Sequence, residues 1–138
     1  MRGWGKMKLL LDTNIFLEII LDQEKAAEAK NLLLQREQHD FFISDYSLHS
    51  IGLLLFRKNR HSVFQKFIQD VILNAGIGVL SVTPGEMKNV ISAAQKFGLD
   101  FDDAYQYTVA TSARIEIVSF DNDFTRTDFG RKTPAEIL

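Results

Sequence analysis

Three aspartates stand where the sequence predicts that a strand ends or a helix begins. Asp12 directly follows the aliphatic run at residues 8–11, Asp121 follows the β-branched run at residues 115–120, and Asp103 lies in the first turn of a predicted helix. Ligand sites of open α/β sheets lie outside the carboxyl ends of the strands. We therefore expect the three carboxylates to meet in one acidic pocket.

Crowded carboxylates favour a cation. They repel one another, which raises at least one of their pKa values unless a positive charge neutralises them. Mg²⁺ or Mn²⁺ is the natural partner, because these hard ions take oxygen ligands and bind through a few carboxylates together with substrate phosphates. A metal-bound water becomes more acidic, and the metal stabilises charge on a phosphodiester under attack. The three aspartates therefore indicate metal-dependent phosphodiester hydrolysis.

Four polar residues flank these aspartates in the sequence. Asn14 is expected to orient Asp12 or to contact a water, and Ser119 is expected to donate a hydrogen bond. Asp102 and Asp123 would extend the acidic shell. Any one aspartate at such a position has an ordinary alternative role as a helix cap. Three of them converging on one sheet edge are less readily explained by capping alone.

Apolar runs and helical periods alternate in the order βαα, βαα, βα, α, β. Strands are predicted at residues 8–11, 41–43, 79–82 and 115–120, and helices at residues 14–21, 22–36, 45–57, 63–73, 84–97 and 102–113. Predicted helix boundaries include Asp22, Ser44 or Asp45, the capping box of residues 83–86, and Gly98. This order predicts a three-layer α/β/α sandwich with a mostly parallel central sheet.

Bulk composition limits the chain to one domain and one site. The 138 residues are 46% hydrophobic and 25% charged, enough for one core but not comfortably for two. We assign a single domain to residues 7–138 and treat residues 1–6 as an N-terminal extension. The formal net charge of −2 gives no overall attraction to phosphates, so a nucleic acid would need a local basic patch or bound cations. The absence of cysteine excludes disulfides and thiolate metal sites.

The sequence predicts a soluble, cytoplasmic protein without membrane association. Its apolar stretch at residues 9–21 is interrupted by Asp12, Asn14 and Glu18. A membrane span requires about 18 or more apolar residues without such breaks. The N-terminal segment also lacks the small-residue cleavage site of a signal peptide.

Three short segments resemble the acidic motifs of PIN domains. They read LLLDTN at residues 9–14, DDA at residues 102–104 and SFDNDF at residues 119–124, and the resemblance extends from residue 8 to about residue 124. It implies that Asp12, Asp103 and Asp121 are metal-coordinating catalytic acids, with Asn14 and Ser119 as supporting groups. It also implies a Rossmann-like sheet, divalent-metal-dependent RNA cleavage, frequent homodimerisation and, in many relatives, the role of toxin beside an antitoxin protein.

One position departs from the PIN pattern. PIN domains usually carry a glutamate on the helix after the second strand, and Ser50 occupies that place here, with His49 beside it. A lost carboxylate lowers the charge that holds a metal. Asp45, one turn or more earlier, and His49 are the two residues that we consider as substitutes. The alternative function is therefore a catalytically impaired PIN-like domain that acts as an RNA- or protein-binding regulatory module.

Other residue patterns favour structural interpretations. The histidines His39, His49 and His61 lack ligand spacing, and we interpret each as a surface or packing residue. The basic residues of segment 57–61 with Lys66, and a second set near the C-terminus, are candidate phosphate contacts but are more typical of solvated turns. That second set comprises Arg126, Arg131 and Lys132. The aromatic residues fall mostly at core spacings, so no exposed stacking platform is expected.

Two other enzyme classes fit the sequence less well. A nucleotide-binding Rossmann domain needs a glycine-rich turn after its first strand, and this chain has Asp-Thr-Asn there. Phosphatases with an aspartyl nucleophile resemble Asp-x-Asp at that point, but residue 14 is Asn. The apolar helices between residues 44 and 73 are our candidate surface for a homodimer.

Overall fold

The computed structural model of the chain describes residues 6–137. Apart from Lys6, the predicted N-terminal extension at residues 1–6 lies outside this range. The strands are β1 (Lys8–Leu11), β2 (Asp40–Ser44), β3 (Gly78–Leu80) and β4 (Glu116–Val118). The α-helices are α1 (Thr13–Ile20), α2 (Ala26–Leu33), α3 (Asp45–Arg57), α4 (His61–Phe67), α5 (Met87–Phe97), α6 (Phe101–Ala113) and α7 (Pro134–Ile137).

The four strands form one parallel sheet in the order β3-β2-β1-β4. Leu9 lies opposite Phe41 of β2 and Glu116 of β4, so β1 is central and is paired on both edges. Because all strands run in the same direction, their carboxyl ends share one edge. The predicted α/β sandwich is confirmed, and its sheet is entirely parallel.

Alternating side chains of β1 supply two separate cores. Leu9 and Leu11 pack on the face that also buries residues of α1 to α4. Leu10 and Ile117 pack on the opposite face with residues of α5 and α6. All four side chains are fully buried, as expected for a parallel sheet that is covered by helices on both faces. The carboxyl edge of β1 is therefore held rigidly from both sides.

Local capping signals locate several helix ends correctly. Ser44 accepts a hydrogen bond from Ser47 N at 3.0 Å and caps α3. Thr83 and Glu86 form the predicted capping box at the 3₁₀ turn Pro84–Glu86, which leads into α5. Gly98 ends α5 with a φ of 66°, a left-handed conformation that glycine adopts without steric cost.

Other boundaries differ from the prediction. Asp22 does not cap α2, because it adopts a left-handed φ of 50° in the turn after α1 and α2 begins only at Ala26. The helix predicted at residues 63–73 is α4 followed by a π-helical segment, Ile68–Leu73. The 3₁₀ turn Asn122–Arg126 and helix α7 were not predicted.

Among residues 6–137, none of the helices has the length and apolar character that a membrane span requires.

Candidate functional site

An acidic cleft of about 210 Å³ lies at the carboxyl edge of the sheet. It is built by the residue that follows β1, the start of α1, the first turns of α3 and α6, and the segment after β4. Its lining consists of Asp12, Thr13, Asn14, Leu17, Tyr46, Ser50, Asp102, Asp103, Gln106 and Asp121. The three aspartates that the sequence analysis selected thus share one cleft.

Three carboxylates form the tightest group in this region. Asp103, Asp121 and Asp123 each offer an oxygen, and these atoms lie within 4.8 Å of one another. Asp121 accepts a hydrogen bond from Asp123 N at 2.9 Å and caps the following 3₁₀ turn, which fixes these two residues relative to each other. Asp123, predicted only as part of an outer shell, belongs to the group, and Asp12 lies outside it.

Asp12 is held in place by its hydrogen bonds. Its side chain is 7% exposed, and Oδ1 accepts from Thr13 N at 2.8 Å and from Gln106 Nε2 at 2.9 Å. Oδ2 accepts from Ser119 Oγ at 2.7 Å. Burial raises the pKa of Asp12, and these donors oppose the rise by stabilising the carboxylate. Asp12 is thus both the cap of α1 and the inner acidic wall of the cleft.

Asn14 and Ser119 tie the ends of β1 and β4 together. Asn14 Nδ2 donates to Ser119 Oγ at 3.1 Å, and Asn14 Oδ1 accepts from Phe120 N at 3.2 Å. Ser119 Oγ also accepts from Asp121 N at 2.9 Å. These contacts connect Asp12 to the segment that carries Asp121. Both predicted supporting residues therefore lie beside the cleft and position its acidic groups.

Gln106 is a buried site residue that the sequence analysis missed. It is 1% exposed, and its Nε2 donates both to Asp12 and to Ser47 Oγ, the latter at 2.8 Å. Ser47 Oγ lies 2.7 Å from Thr13 Oγ1, so the amide links α6 with α1 and α3. The available signal was spacing: Gln106 follows Asp103 by three residues, which places both on one helix face.

Replacing Gln106 by Leu is expected to lower the free energy of unfolding by about 1–3 kcal/mol. Leucine has a similar size but leaves a buried oxygen of Asp12 without one of its donors. Urea denaturation of Gln106→Leu and of the control Gln95→Leu, at an exposed position of α5, measures the effect. Equal stability of the two variants would contradict a role for the amide in holding Asp12.

Ser50 stands at the α3 position where PIN domains usually carry a glutamate, and this position faces the cleft. In the described part of the chain, no carboxylate of α3 lines the cleft. Ser50 is among the lining residues. Asp45 is exposed and accepts a hydrogen bond from Tyr105 Oη at 2.7 Å. His49 is exposed as well. Neither Asp45 nor His49 is among the residues that line the cleft, so the structure gives no support to either substitution.

Asp103 also has a perturbed carboxyl group. Burial, a hydrogen bond with Asp123 and the charges of Asp100, Asp121 and Asp12 raise the pKa of Asp103 to about 8. Asp100, not Asp102 or Asp103, caps α6 by accepting from Asp103 N at 3.0 Å. The Asp103 carboxyl group is therefore not engaged in capping.

This donor set fits a divalent cation. It consists of carboxylate oxygens at close spacing, which is what Mg²⁺ and Mn²⁺ prefer. A cation would also relieve the repulsion that raises the pKa of Asp103. Asp123 already has a cationic partner, because Arg126 Nη2 lies 2.9 Å from its Oδ1. Within residues 6–137, Asp103 and Asp121 have no such ion pair.

The C-terminal basic residues contact the protein itself. Arg126 donates to the carbonyl oxygens of Asp123 and Gly98. Arg131 donates to Ser119 O at 3.2 Å and to Asn122 Oδ1. These contacts brace the segment after β4. Because these N–H donors are already used, fewer of them are available to bind a phosphate.

The fold and the site define an α/β domain with an acidic cleft at the carboxyl edge of a parallel sheet. The family model of the PIN domain matches residues 9–130, which is most of the chain. The chain therefore belongs to the PIN domain family. None of the curated proteins compared with the sequence matches it.

Solved structures with this fold include several toxin–antitoxin proteins. A toxin–antitoxin complex from Klebsiella pneumoniae has a TM-score of 0.71 at 18% identity, covering 91% of this chain and 97% of that chain. VapBC2 from Rickettsia felis, bound to a promoter DNA fragment, has a TM-score of 0.72 at 16% identity, covering 91% and 97%. The Mycobacterium tuberculosis VapC20, described as a sarcin-ricin loop cleaving toxin, has a TM-score of 0.71 at 19% identity, covering 88% and 95%. Similarity at these identities shows a common fold.

Proposed function

We propose that this PIN domain is a divalent-metal-dependent endoribonuclease that hydrolyses RNA phosphodiester bonds. The observation that carries the proposal is the grouping of Asp103, Asp121 and Asp123 within 4.8 Å, next to the cleft that Asp103 and Asp121 line together with Asp12. Membership of the PIN family supports the same activity. The proposed catalytic acids are Asp12, Asp103 and Asp121, and the cation is Mg²⁺ or Mn²⁺.

In this proposal, Asp103 and Asp121 hold the cation, with Asp123 beside them and Asp12 completing the inner side. The bound cation would acidify a water and stabilise negative charge on the phosphate. Ser119, Asn14 and Gln106 orient Asp12 and stabilise its carboxylate form through the hydrogen bonds described above. Asp102 adds negative charge at the rim of the cleft.

We further propose that the protein acts as the toxin of a toxin–antitoxin pair, as a cytoplasmic homodimer. Support comes from structural neighbours that are described as toxin–antitoxin complexes. Exposed apolar side chains on the helices between residues 44 and 73 offer a surface for self-association. These are Leu53, Phe56 and Leu73.

A second candidate function is a binding module without catalysis. It is favoured by Ser50, which stands in the cleft where PIN domains usually carry a glutamate. Fewer carboxylates hold a metal less tightly. A PIN-like domain of this kind would bind RNA or protein without cutting it.

The purified protein is expected to cleave RNA from a panel of single-stranded and hairpin substrates with Mg²⁺ or Mn²⁺, and to stop in EDTA. Asp12→Asn is expected to reduce the rate at least about 100-fold, because one preorganised charge of the site is lost. Asp70→Asn, at an exposed position in the first turn of the π-helical segment and outside the lining of the cleft, serves as the control. Gel electrophoresis of end-labelled RNA measures the rates. If no RNA is cut and the wild type does not differ from Asp12→Asn, the binding module is the better description.

A further inference from the structure

An exposed aromatic ring stands at the rim of the acidic cleft. Phe101 opens α6 and is 55% exposed, directly before the rim residue Asp102 and the cleft residue Asp103. Phe101 is thus an exception to the expected placement of aromatic residues at core positions. Helical spacing alone did not reveal that the first residue of α6 lies outside the core.

Phe101 belongs to a cluster of three rings beside the cleft. Its centroid lies 5.9 Å from that of Tyr105 and 6.5 Å from that of Tyr46. The two tyrosine rings are 5.9 Å apart, and Tyr46 lines the cleft. The contact with Tyr46 thus connects the exposed ring of Phe101 to the acidic site.

The two tyrosines behind Phe101 are fixed in position. Tyr105 Oη donates to Asp45 at 2.7 Å and accepts from Val82 N at 3.1 Å. Burial and a hydrogen bond with Asp102 raise the pKa of Tyr46 to about 12, so its hydroxyl stays protonated. A rigid backing keeps the Phe101 ring in place, which lowers the entropy cost of placing a ligand on it.

The charges around these rings indicate which part of a nucleic acid can lie against them. Asp100, Asp102 and Asp103 lie on the same first turn and cap of α6, and no residue that lines the cleft in the described part of the chain is basic. A phosphate without a cation is repelled here. The neutral face of a nucleobase is not repelled, and stacking on an aromatic ring does not depend on base identity.

We propose that Phe101, backed by Tyr46 and Tyr105, stacks on an unpaired base of the RNA strand that enters the acidic cleft. This inference rests on the proposed nuclease function and specifies its substrate: RNA with at least one unstacked base beside the phosphate in the cleft. Fully paired RNA does not offer a free base face. The ring is therefore a substrate-binding residue and takes no part in the hydrolysis.

The test measures RNA binding separately from cleavage. Short single-stranded RNAs that carry 2-aminopurine are titrated with protein in Ca²⁺, which keeps cleavage slow, and fluorescence quenching reports stacking. Phe101→Ala is expected to weaken binding about tenfold or more and to abolish the quenching, whereas Phe101→Trp restores both. The matched control is Phe129→Ala, because Phe129 is also exposed, at 38%, but packs against Tyr107 and does not line the cleft.

The possible results distinguish failure of base stacking from failure of the proposed nuclease function. Equal binding by Phe101→Ala and Phe129→Ala, while the wild type still cleaves RNA, overturns stacking and leaves the nuclease intact. Equal loss in Phe101→Ala and Phe101→Trp also overturns stacking, because any aromatic ring should serve. Quenching without cleavage supports stacking and contradicts the nuclease. A wild type that neither binds nor cleaves RNA overturns both.

Discussion

In metal-free buffer, the protein is expected to lose thermal stability as the pH rises from about 4 to about 8. The pKa of Asp103 is raised from its ordinary value of 3.8 to about 8 by burial and by neighbouring carboxylates. Between these values the folded chain holds a proton that the unfolded chain releases, so raising the pH favours unfolding. The contribution is fully present below the unfolded pKa and is lost as the pH passes the folded pKa. The raised pKa of Asp12 acts in the same direction.

Asp103→Asn removes the contribution of Asp103 to this pH dependence, because asparagine imitates the protonated acid. At pH 8 the variant is expected to melt several degrees above the metal-free wild type, and at pH 5 the two should melt at nearly the same temperature. Mg²⁺ or Mn²⁺ should raise the melting temperature of the wild type at pH 8 and have little effect on the variant. Differential scanning calorimetry across this pH range measures both effects. A variant less stable than the wild type at pH 8 would show that the Asp103 carboxylate supports the fold.

Ser50→Glu is expected to strengthen metal binding about tenfold and to increase the rate of RNA cleavage. The substitution adds a carboxylate to the cleft at the position where PIN domains usually carry a glutamate, and affinity for hard cations grows with the number of charged oxygen ligands. The same change adds repulsion when no metal is present, so the metal-free variant should melt below the wild type at pH 8. Isothermal titration with Mn²⁺ and the cleavage assay are the measurements.

Ser50→Gln is the matched control, because it has the shape of glutamate without its charge. It should bind Mn²⁺ as weakly as the wild type. If Ser50→Glu and Ser50→Gln behave alike, the cleft does not use a carboxylate from α3. The four-carboxylate arrangement inferred from the family would then not apply to this chain.

Local chemistry made much of the fold predictable. Ser44, the capping box of residues 83–86 and Gly98 act through groups a few residues away, so the sequence alone identifies the ends of those helices. Capping residues do not always identify a helix end: Asp22 could cap a helix, but it adopts the left-handed conformation of a turn. The π-helical segment was not predicted, because no local sequence motif distinguishes it from an α-helix.

The site was predictable in its location but not in its detailed contacts. Strand ends brought Asp12 and Asp121 to one edge, because parallel topology requires it. Three aspartates at residues 100–103 are equivalent candidates for a cap, and only the backbone shows that Asp100 fills that role. Gln106 was overlooked, because a single amide between two tyrosines forms no recognisable motif. The position of Asp123 depends on a 3₁₀ turn that was not predicted.

The cleft can form only after β1 has paired with β4. Asp12 N donates to Val118 O at 2.9 Å, and Ser119 holds the Asp12 carboxylate from 107 residues further along the chain. Contacts between such distant segments form only after the chain beyond Ser119 has left the ribosome. A shorter nascent chain therefore carries Asp12 without the hydrogen bond of Ser119. An RNA-cutting activity built this way could not arise in such a chain.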